Sequence, residues 1–463
     1  MESPSHNESP SHNESAFEKD WTRGSIIGNL LLLSWPMVVM EALYMVGQVV
    51  DMIWVGKLGP SSIAGVGIAY VCVLVVMSMD IGLIIGVRAM IARYVGAGDI
   101  RGADTTAGQA IILGATWGIV VAVIGILVVK PILGLFGAEA EVITEGIAYL
   151  RILFAGWVAM GILVMGLYAV QASGDTMKPM IIEACIRTIH LALCPFLVLG
   201  WWIFPHLGVT GAALSNVISH SLGALIVVSL LFSGRTRLQL ALKDFRPVPN
   251  IIWRILKIGI PALVLHMQKS LGDLVLLWII VPFGTLAVAA HSLVLRVEMF
   301  FIAVGIGLGG GSGVLVGQNL GADQPRRAEK SGWLAVGLME AFMIAFSGVM
   351  LLRAENIVGI FTADPDLVAL GSIFLRIATA GYLLYGFVLV FQDCIAGAGD
   401  TLPIMIVSIA MIWVIQLPLA LFLPGVANLG VYGVRWAIVV SICSGAIFYI
   451  IYFMRGRWKA KKV

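Results

Sequence analysis

The chain has 463 residues, with 29 Lys and Arg against 26 Asp and Glu, for a formal net charge of +3. Hydrophobic residues make up 60% of it and charged residues only 12%, whereas soluble proteins carry about 25% charged residues. With a mean hydropathy of +0.99, this composition excludes a soluble globular domain and indicates a polytopic membrane protein.

The first 25 residues are polar. They contain Glu-Ser-Pro-Ser-His-Asn twice, at 2–7 and 8–13, and lack the basic start and apolar centre of a cleavable signal. We predict that 1–25 is a disordered cytoplasmic tail.

Apolar runs of roughly 20 residues then follow one another, each long enough to cross a bilayer as a helix. Because these runs are continuously apolar, they favour helices over the alternating strands of a barrel. We predict an all-α fold with twelve transmembrane helices, near 30–55, 62–86, 107–130, 147–172, 180–203, 210–232, 255–281, 285–311, 331–352, 368–395, 404–423 and 430–454.

The chain matches itself at a spacing of 225 residues. Pro36 corresponds to Pro261, Gly59 to Gly284, and Gly-Asp-Thr at 174–176 to the same triplet at 399–401. An even number of spans in each half predicts two six-helix bundles related by a pseudo-two-fold axis along the membrane normal, with the substrate path between them. We place the bundles at 26–232 and 255–455, a cytoplasmic linker at 233–254 and a basic cytoplasmic tail at 456–463.

Basic residues are distributed unevenly between the two sides of the membrane. With the N-terminus inside, most Lys and Arg fall in cytoplasmic segments, and the outer loops and span ends hold only Lys57, Lys130, Arg151, Arg353, Arg376 and Arg435. This asymmetry predicts a multi-pass protein of the inner (plasma) membrane with both termini cytoplasmic. No basic cluster belongs to a separate soluble domain, so we expect no nucleic-acid partner. The five cysteines lack the close pairs of a metal or disulfide framework, and we predict no metal site.

Polar residues inside the first span form a stripe on one helical face. Glu41, Tyr44, Gln48 and Asp51 follow at steps of 3, 4 and 3 residues. The seventh span carries the corresponding set His266, Lys269, Ser270 and Asp273. We expect both stripes to face a shared central cavity, with Met45 among the methionines of an adaptable wall; the alternative is that the stripes only join helices by hydrogen bonds.

A second group of polar residues lies in later spans. His190 and Cys194 are four residues apart in the fifth span, Asn216 lies in the sixth, and Asp393 in the tenth. Asp51 close to His190 would make a proton site, although a membrane histidine can also serve only as a helix-helix hydrogen bonder. Asp393 is either a second titrating group or a partner for Lys269. Glu183 and Arg187, four apart, are predicted to pair.

These residues resemble the multidrug and toxic compound extrusion (MATE) transporters, of the bacterial DinF/NorM-like kind, over roughly 25–455. The resemblance is carried by Pro36 with Val50-Asp51, by the stretch 315–322 followed by Arg326-Arg327-Ala328, and by the two Gly-Asp-Thr triplets. It implies an antiporter that expels amphipathic, often cationic compounds using a proton or sodium gradient, with Asp51 at the cation-coupling position.

The chain departs from the family pattern around that aspartate. Positions of the fifth span that often hold Asn and Asp read His190 and Cys194, and the common Thr of the sixth span reads Asn216. Because sodium prefers hard oxygen ligands, we predict proton coupling through Asp51, His190, Asn216, Cys194 and Glu41. The predicted cavity residues are Tyr44, Gln48, Met45, His266, Lys269, Ser270, Asp273 and Asp393.

The resulting prediction is a monomeric efflux antiporter, not an enzyme, that needs no cofactor beyond the ion gradient. Its partners are small amphipathic drug-like substrates, H+ or Na+, and the lipid bilayer. One alternative is a lipid-linked precursor flippase of the same superfamily, which tends to have a strongly basic cavity. The other is a membrane-embedded enzyme, but the histidines are scattered over four spans without a close ligand pair.

Overall fold

The computed structural model describes residues 19–134, 137, 139–461 and 463, so most of the predicted disordered tail 1–25, with the tandem repeat at 2–7 and 8–13, lies outside the described residues. Within these ranges the chain is helical, with no strand. The α-helices are α1 Ile26–Val55, α2 Pro60–Gly96, α3 Ile100–Gly134, α4 Ala140–Ala155, α5 Trp157–Ala172, α6 Met177–Leu199, α7 Val209–Phe232, α8 Pro249–Ile280, α9 Thr285–Gly321, α10 Pro325–Gly359, α11 Pro365–Gly397, α12 Thr401–Ile409, α13 Leu417–Phe422 and α14 Val431–Arg455.

Each predicted span corresponds to one helical segment, and two of the segments consist of two α-helices each. Eleven helical segments of the described chain are long and apolar enough to cross a membrane, and α4 with α5 makes a twelfth as one span bent by 52°. The bend falls at Gly156, which lies between the two helices and belongs to neither. A π-helical segment, Ala410–Gln416, joins α12 to α13, and the ring of Pro418 just after it cannot continue an α-helical hydrogen-bond ladder.

The internal repeat is visible in the backbone as well as in the sequence. Gly59 has φ +125° and its repeat partner Gly284 has φ +97°, and each precedes the second helix of its half. Gly174 and Gly399 correspond in the same way, with φ +100° and +84°. Such φ values favour glycine, so the same turns are built twice. Helices α1–α7 form one lobe and α8–α14 the other.

The two lobes meet where α1 and α2 pack against α8 and α9. Glycines make this close approach possible. A Cβ atom at Gly86 in α2 would lie 2.4 Å from the backbone oxygen of Ile255 in α8, and one at Gly311 in α9 would lie 2.3 Å from Oγ of Ser34 in α1. At Gly311 the lack of a side chain therefore lets α9 lie directly against α1.

Contacts between the lobes concentrate at the end of the bundle that carries both chain termini, here called the terminal end. Arg93 of α2 donates hydrogen bonds to the backbone oxygens of Ala398 (3.2 Å) and Lys461 (2.8 Å). Gln318 of α9 donates to the backbone oxygen of Ala172 (3.1 Å). These bonds join the first lobe to the second and close the space between them at this end.

The last residues of the predicted disordered tail are ordered. Trp21 is 8% exposed, and the amide of Asn29 donates to the backbone oxygens of Trp21 (3.1 Å) and Arg23 (2.9 Å). Arg327 of α10 also donates to the backbone oxygen of Arg23 (3.0 Å). Order therefore begins before the first span because an aromatic anchor and two side-chain donors hold residues 21–23 against both lobes.

Candidate functional site

A cavity of about 700 Å³ lies between the two lobes. Both lobes contribute polar side chains to a largely apolar wall, and the wall extends to His291 and Arg435, near the ends of α9 and α14 that lie opposite the terminal end. The charged or histidine side chains of the wall are Glu41, Asp80, Arg88, Glu183, Arg187, His220, His266, Lys269, Asp273, His291, Glu298, Asp393 and Arg435.

Some of the predicted cavity residues lie in this wall and others do not. Those in the wall are Glu41, Tyr44, His266, Lys269, Asp273 and Asp393. Met45, Gln48 and Ser270 are outside it, so their assignment to the cavity was wrong. Met45 and Ser270 each follow a lining residue by one position, which turns the side chain about 100° around a helix. Gln48 instead accepts a hydrogen bond from Tyr70 of α2 (3.0 Å) inside the first lobe.

Four of the five predicted coupling residues come together near the C-terminus of α1, away from the terminal end. Asp51 of α1 is 6% exposed, and its Oδ1 lies 3.0 Å from Nε2 of His190 in α6. Its Oδ2 accepts a hydrogen bond from the amide of Asn216 in α7 (3.0 Å). The thiol of Cys194, one turn after His190, points at Oδ1 from 3.8 Å. We call these four residues the Asp51 cluster.

Among the described residues, no Lys or Arg side chain forms an ion pair with the Asp51 cluster. Within the described part of the chain, His190 is the only side chain that can pair ionically with Asp51 inside 4.0 Å. The ligand atoms of Asp51, His190 and Cys194 lie within 4.8 Å of one another, which is close enough to share a metal ion, although the sequence predicted none. Asp51 is not part of the central cavity wall, so the cluster and the cavity are neighbouring but separate sites.

Glu41 lies in the central cavity rather than in the Asp51 cluster, contrary to the prediction. The ten residues from Glu41 to Asp51 make nearly three turns of helix, or about 15 Å along its axis, which carries the two side chains to different depths of the bundle. Glu41 is within electrostatic range of Arg88 in α2 and Asp393 in α11. Arg88 also faces Asp393 and donates a hydrogen bond to the backbone oxygen of Gly310 (2.7 Å). Asp393 thus shares Arg88 with Glu41.

The predicted pair of Glu183 and Arg187 is confirmed, with Nε of Arg187 2.6 Å from Oε1 of Glu183. The guanidinium of Arg187 also lies over the ring of Tyr44, 5.2 Å from its centre. Lys269 and Asp273, which could have paired in the same way, are not within 4.0 Å of each other as described. The ammonium of Lys269 lies instead beside the hydroxyl of Tyr385 in α11.

A third polar cluster in the second lobe was not predicted as a site. Arg435 of α14 is 2% exposed and lies 3.1 Å from Nδ1 of His291 and 3.3 Å from Oε1 of Glu298, both in α9. The same Glu298 oxygen accepts a hydrogen bond from Tyr382 of α11 (2.8 Å). The signal that could have found Arg435 is the cost of a charge within a span, but its position near a predicted outer loop suggested an exposed residue.

Comparison with known proteins gives a family match that follows the internal repeat. The MatE family model matches residues 36–196 and again 261–422. The probable multidrug resistance protein NorM of Thermotoga maritima is 24% identical over 441 residues, which covers 94% of each chain. An FAD transporter of Shewanella oneidensis is 23% identical over 395 residues, covering 85% of this chain and 87% of the relative.

Solved structures have the same fold. One described as the outward-facing conformation of a multidrug resistance MATE family transporter superposes with a TM-score of 0.88 at 24% identity. The match covers 96% of this chain and 98% of that one. The two-lobe arrangement is therefore a known transporter architecture and not peculiar to this sequence.

Proposed function

The chain belongs to the MatE family of multidrug transporters, and from that premise we propose that it is a secondary active efflux antiporter that exports amphipathic, often cationic compounds in exchange for protons. It is a multi-pass membrane protein and not an enzyme. The proposal adds to the family assignment the coupling ion, the direction of transport and the chemical nature of the substrate.

The observation that supports proton coupling is the Asp51 cluster. A buried carboxylate is costly unless it is paired or neutralised. The groups around Asp51 are an imidazole, an amide and a thiol, none of which carries a permanent positive charge. A proton shared between Asp51 and His190 neutralises the carboxylate, and imidazole is the side chain whose ordinary charge change falls nearest neutral pH.

The donor atoms of the same cluster favour protons over sodium. Sodium is a hard cation that prefers several oxygen ligands. Here the carboxylate of Asp51 supplies oxygen, whereas His190 offers nitrogen and Cys194 offers sulfur. Asn216 presents its amide nitrogen to Asp51, and turning the amide over would supply one further oxygen only. The cluster is thus poorly equipped for sodium and well equipped for a proton.

Substrate binding and proton binding have to affect each other for exchange to be coupled, because a ligand with equal affinity for both states shifts nothing. Asp51 is off the cavity wall, so the proton and the drug do not compete for the same atoms. Helix α6 connects the two sites. It carries His190 in the Asp51 cluster and, one turn earlier, Arg187, which contacts Tyr44 in the cavity wall.

Alternating access then consists of rocking the two lobes about the pseudo-two-fold axis. The lobes are joined at the terminal end, which we place in the cytoplasm because basic residues concentrate there. The cavity in this structure therefore faces outward. Proton binding at Asp51 changes the contacts of α1 with α6 and releases the drug to the outside. The contacts at the terminal end then separate, which exposes the cavity to the cytoplasm. We propose that a single chain is sufficient.

Transport into or out of proteoliposomes tests this proposal. The purified protein is reconstituted, and movement of ethidium, a permanent organic cation, is followed by fluorescence under a pH gradient alone and a sodium gradient alone. We expect pH-driven transport that is lost in Asp51→Asn. The control Glu355→Gln, whose side chain is 64% exposed in a surface ion pair, should transport like the wild type. Transport driven by sodium and not by pH would refute proton coupling, and no transport under either gradient would refute the antiporter.

A further inference from the structure

Asp80 is a buried acid that the mechanism above does not use. It lies in α2, is 5% exposed and forms part of the wall of the central cavity in the first lobe. Asp80 belongs to no polar stripe and has no acidic repeat partner, so the sequence did not mark it as a site residue. A charge this far inside a span is expensive and is usually kept for a function.

Asp80 and two tryptophan indoles come together at this position. The indole N–H groups of Trp117 in α3 and Trp157 in α5 point at the Asp80 carboxylate as hydrogen-bond donors, in a geometry too loose for full hydrogen bonds. Neither tryptophan belongs to the cavity wall, whereas Asp80 does. The two indoles therefore orient a carboxyl group that the cavity can reach.

The bend in the fourth span sets the position of Trp157. The break at Gly156 ends α4 and starts α5 at Trp157, so this side chain occupies the first turn of a redirected helix. Close packing of α3 on α5 places the other: a Cβ at Gly118, next to Trp117, would lie 2.8 Å from the backbone oxygen of Trp157. The geometry around Asp80 is thus fixed by helix packing.

Asp80 differs from the other acids of the cavity in having no fixed positive charge near it. Glu183 is bound by Arg187, and Glu298 by Arg435. Arg88 lies within electrostatic range of both Glu41 and Asp393. For Asp80, the described residues place no Lys or Arg side chain within 4.0 Å, and only the two indoles are close to it. Its carboxylate can therefore pair with a bound cation without displacing a basic side chain.

The surroundings of Asp80 suit the apolar part of an organic cation. Met77 and Ile84 lie one turn to either side on α2, and Met160 and Val164 of α5 complete the wall. Methionine side chains are flexible and polarizable, and they adapt to ligands of different shape. The cavity wall at this position thus combines one acid with a deformable apolar surface.

We propose that Asp80, oriented by Trp117 and Trp157, forms a subsite that binds the positively charged group of an amphipathic organic cation. This inference rests on the proposed function, because it identifies the part of the cavity that recognises the charge of an exported compound. Asp80 is then the residue that makes the cavity select cations over neutral molecules of similar size, and Asp51 remains the residue of proton coupling.

Binding to purified protein in detergent tests the subsite without transport. The probes are ethidium, which is permanently cationic, and Nile red, a neutral aromatic dye, each followed by fluorescence anisotropy at constant pH and salt. We expect Asp80→Asn to weaken ethidium binding at least tenfold and to leave Nile red binding unchanged. Asp80→Glu, which keeps the charge, should retain most of the ethidium affinity, and the surface control Glu355→Gln should bind ethidium like the wild type.

The outcomes separate this inference from the proposed function. Equal ethidium affinity of the wild type and Asp80→Asn, with export intact, would overturn the subsite alone. An equal loss of both dyes in Asp80→Asn and in Asp80→Glu would also overturn it, because that result assigns Asp80 a structural role. A wild-type protein that binds neither dye would overturn the subsite and the proposed drug transport together.

Discussion

Arg435 and Arg376 show how differently two ion pairs of the same lobe contribute to stability. Arg435 is 2% exposed and holds Glu298 and His291. Removing one member of a buried pair leaves the other charge uncompensated, at a cost of about 3–5 kcal/mol. We therefore expect Arg435→Ala to lower the free energy of unfolding by about that amount, measured as a fall in Tm in detergent.

The matched control is Arg376→Ala. The side chain of Arg376 is 44% exposed and that of its partner Glu355 is 64% exposed, and solvent-exposed pairs contribute about 0–1 kcal/mol. The Tm of the Arg376→Ala variant should stay close to that of the wild type. If both variants lost the same stability, Arg435 would have to be solvated in the protein, contrary to its burial.

His190 and Cys194 both point at the same oxygen of Asp51, but they are not equivalent. The imidazole is 3.0 Å away and the thiol 3.8 Å, and a thiol is a weak donor. Hydrogen bonds to a charged group contribute about 1.5–3 kcal/mol. We expect His190→Ala to slow pH-driven ethidium transport more than tenfold and Cys194→Ala to change it by less than about twofold. A similar loss in both variants would mean that the thiol takes part in coupling.

Helical periodicity predicted the site of some single residues and misplaced others, Gln48 among them. Helix spacing and the family resemblance had already grouped Asp51, His190, Cys194 and Asn216. The packing of α1, α6 and α7 brings these four side chains together. Ser270 was misplaced because helix periodicity defines a stripe only to within one residue. The role of Asp80 depends on Trp117 and Trp157 in other helices, and no periodicity within α2 can show such a convergence.

At the scale of helices, close packing depends on a few glycines. Gly86 of α2 faces the backbone oxygen of Ile255 at the lobe interface, where a Cβ would lie at 2.4 Å. Gly67, in the same helix, would have no atom within 4 Å of an added Cβ. We expect Gly86→Ala to lower Tm by several degrees, because α2 and α8 must move apart, whereas Gly67→Ala should leave Tm unchanged or raise it slightly. Equal effects would mean that α2 and α8 are not in close contact.

Helix positions followed from hydropathy, but their full extent and their interruptions did not. The eighth span was predicted as 285–311, and α9 continues to Gly321 because the helix goes on through polar residues that pack against the other lobe. The fourth span is bent at Gly156, where an added Cβ would lie 2.4 Å from the side chain of Val217 in α7. Hydropathy records only the membrane-embedded length of a helix, whereas bends depend on such tertiary contacts.

At the scale of the whole molecule, the sequence repeat predicted the two lobes and the cavity between them. What it could not predict is which end of the cavity is closed, because both conformations of a rocking transporter are built from one sequence. The closed terminal end follows from contacts between non-equivalent helices, α1 with α9 and α2 with α8, together with Arg93 and the segment around Lys461. Transport requires these contacts to separate in each cycle.

A disulfide between the lobes tests this requirement directly. A Cβ at Gly311 in α9 would lie 3.2 Å from Cβ of Ser34 in α1, close to the spacing of about 3.5–4.5 Å in disulfides. The double variant Ser34→Cys with Gly311→Cys should transport ethidium under reducing conditions, stop when oxidised, and recover when the bond is reduced. The oxidised protein should still bind ethidium, because the cavity remains open at its other end.

The control is a disulfide of similar geometry within a single lobe. A Cβ at Gly65 in α2 would lie 3.0 Å from Cβ of Glu145 in α4, and both helices belong to the first lobe. If the lobes move as rigid bodies, Gly65→Cys with Glu145→Cys should transport equally well when oxidised and reduced. Wild-type protein, whose described cysteines are all free, controls for the oxidant itself. Transport that continued through the oxidised inter-lobe bond would refute rocking of the lobes, and loss of transport in the control pair would place the essential movement inside the first lobe.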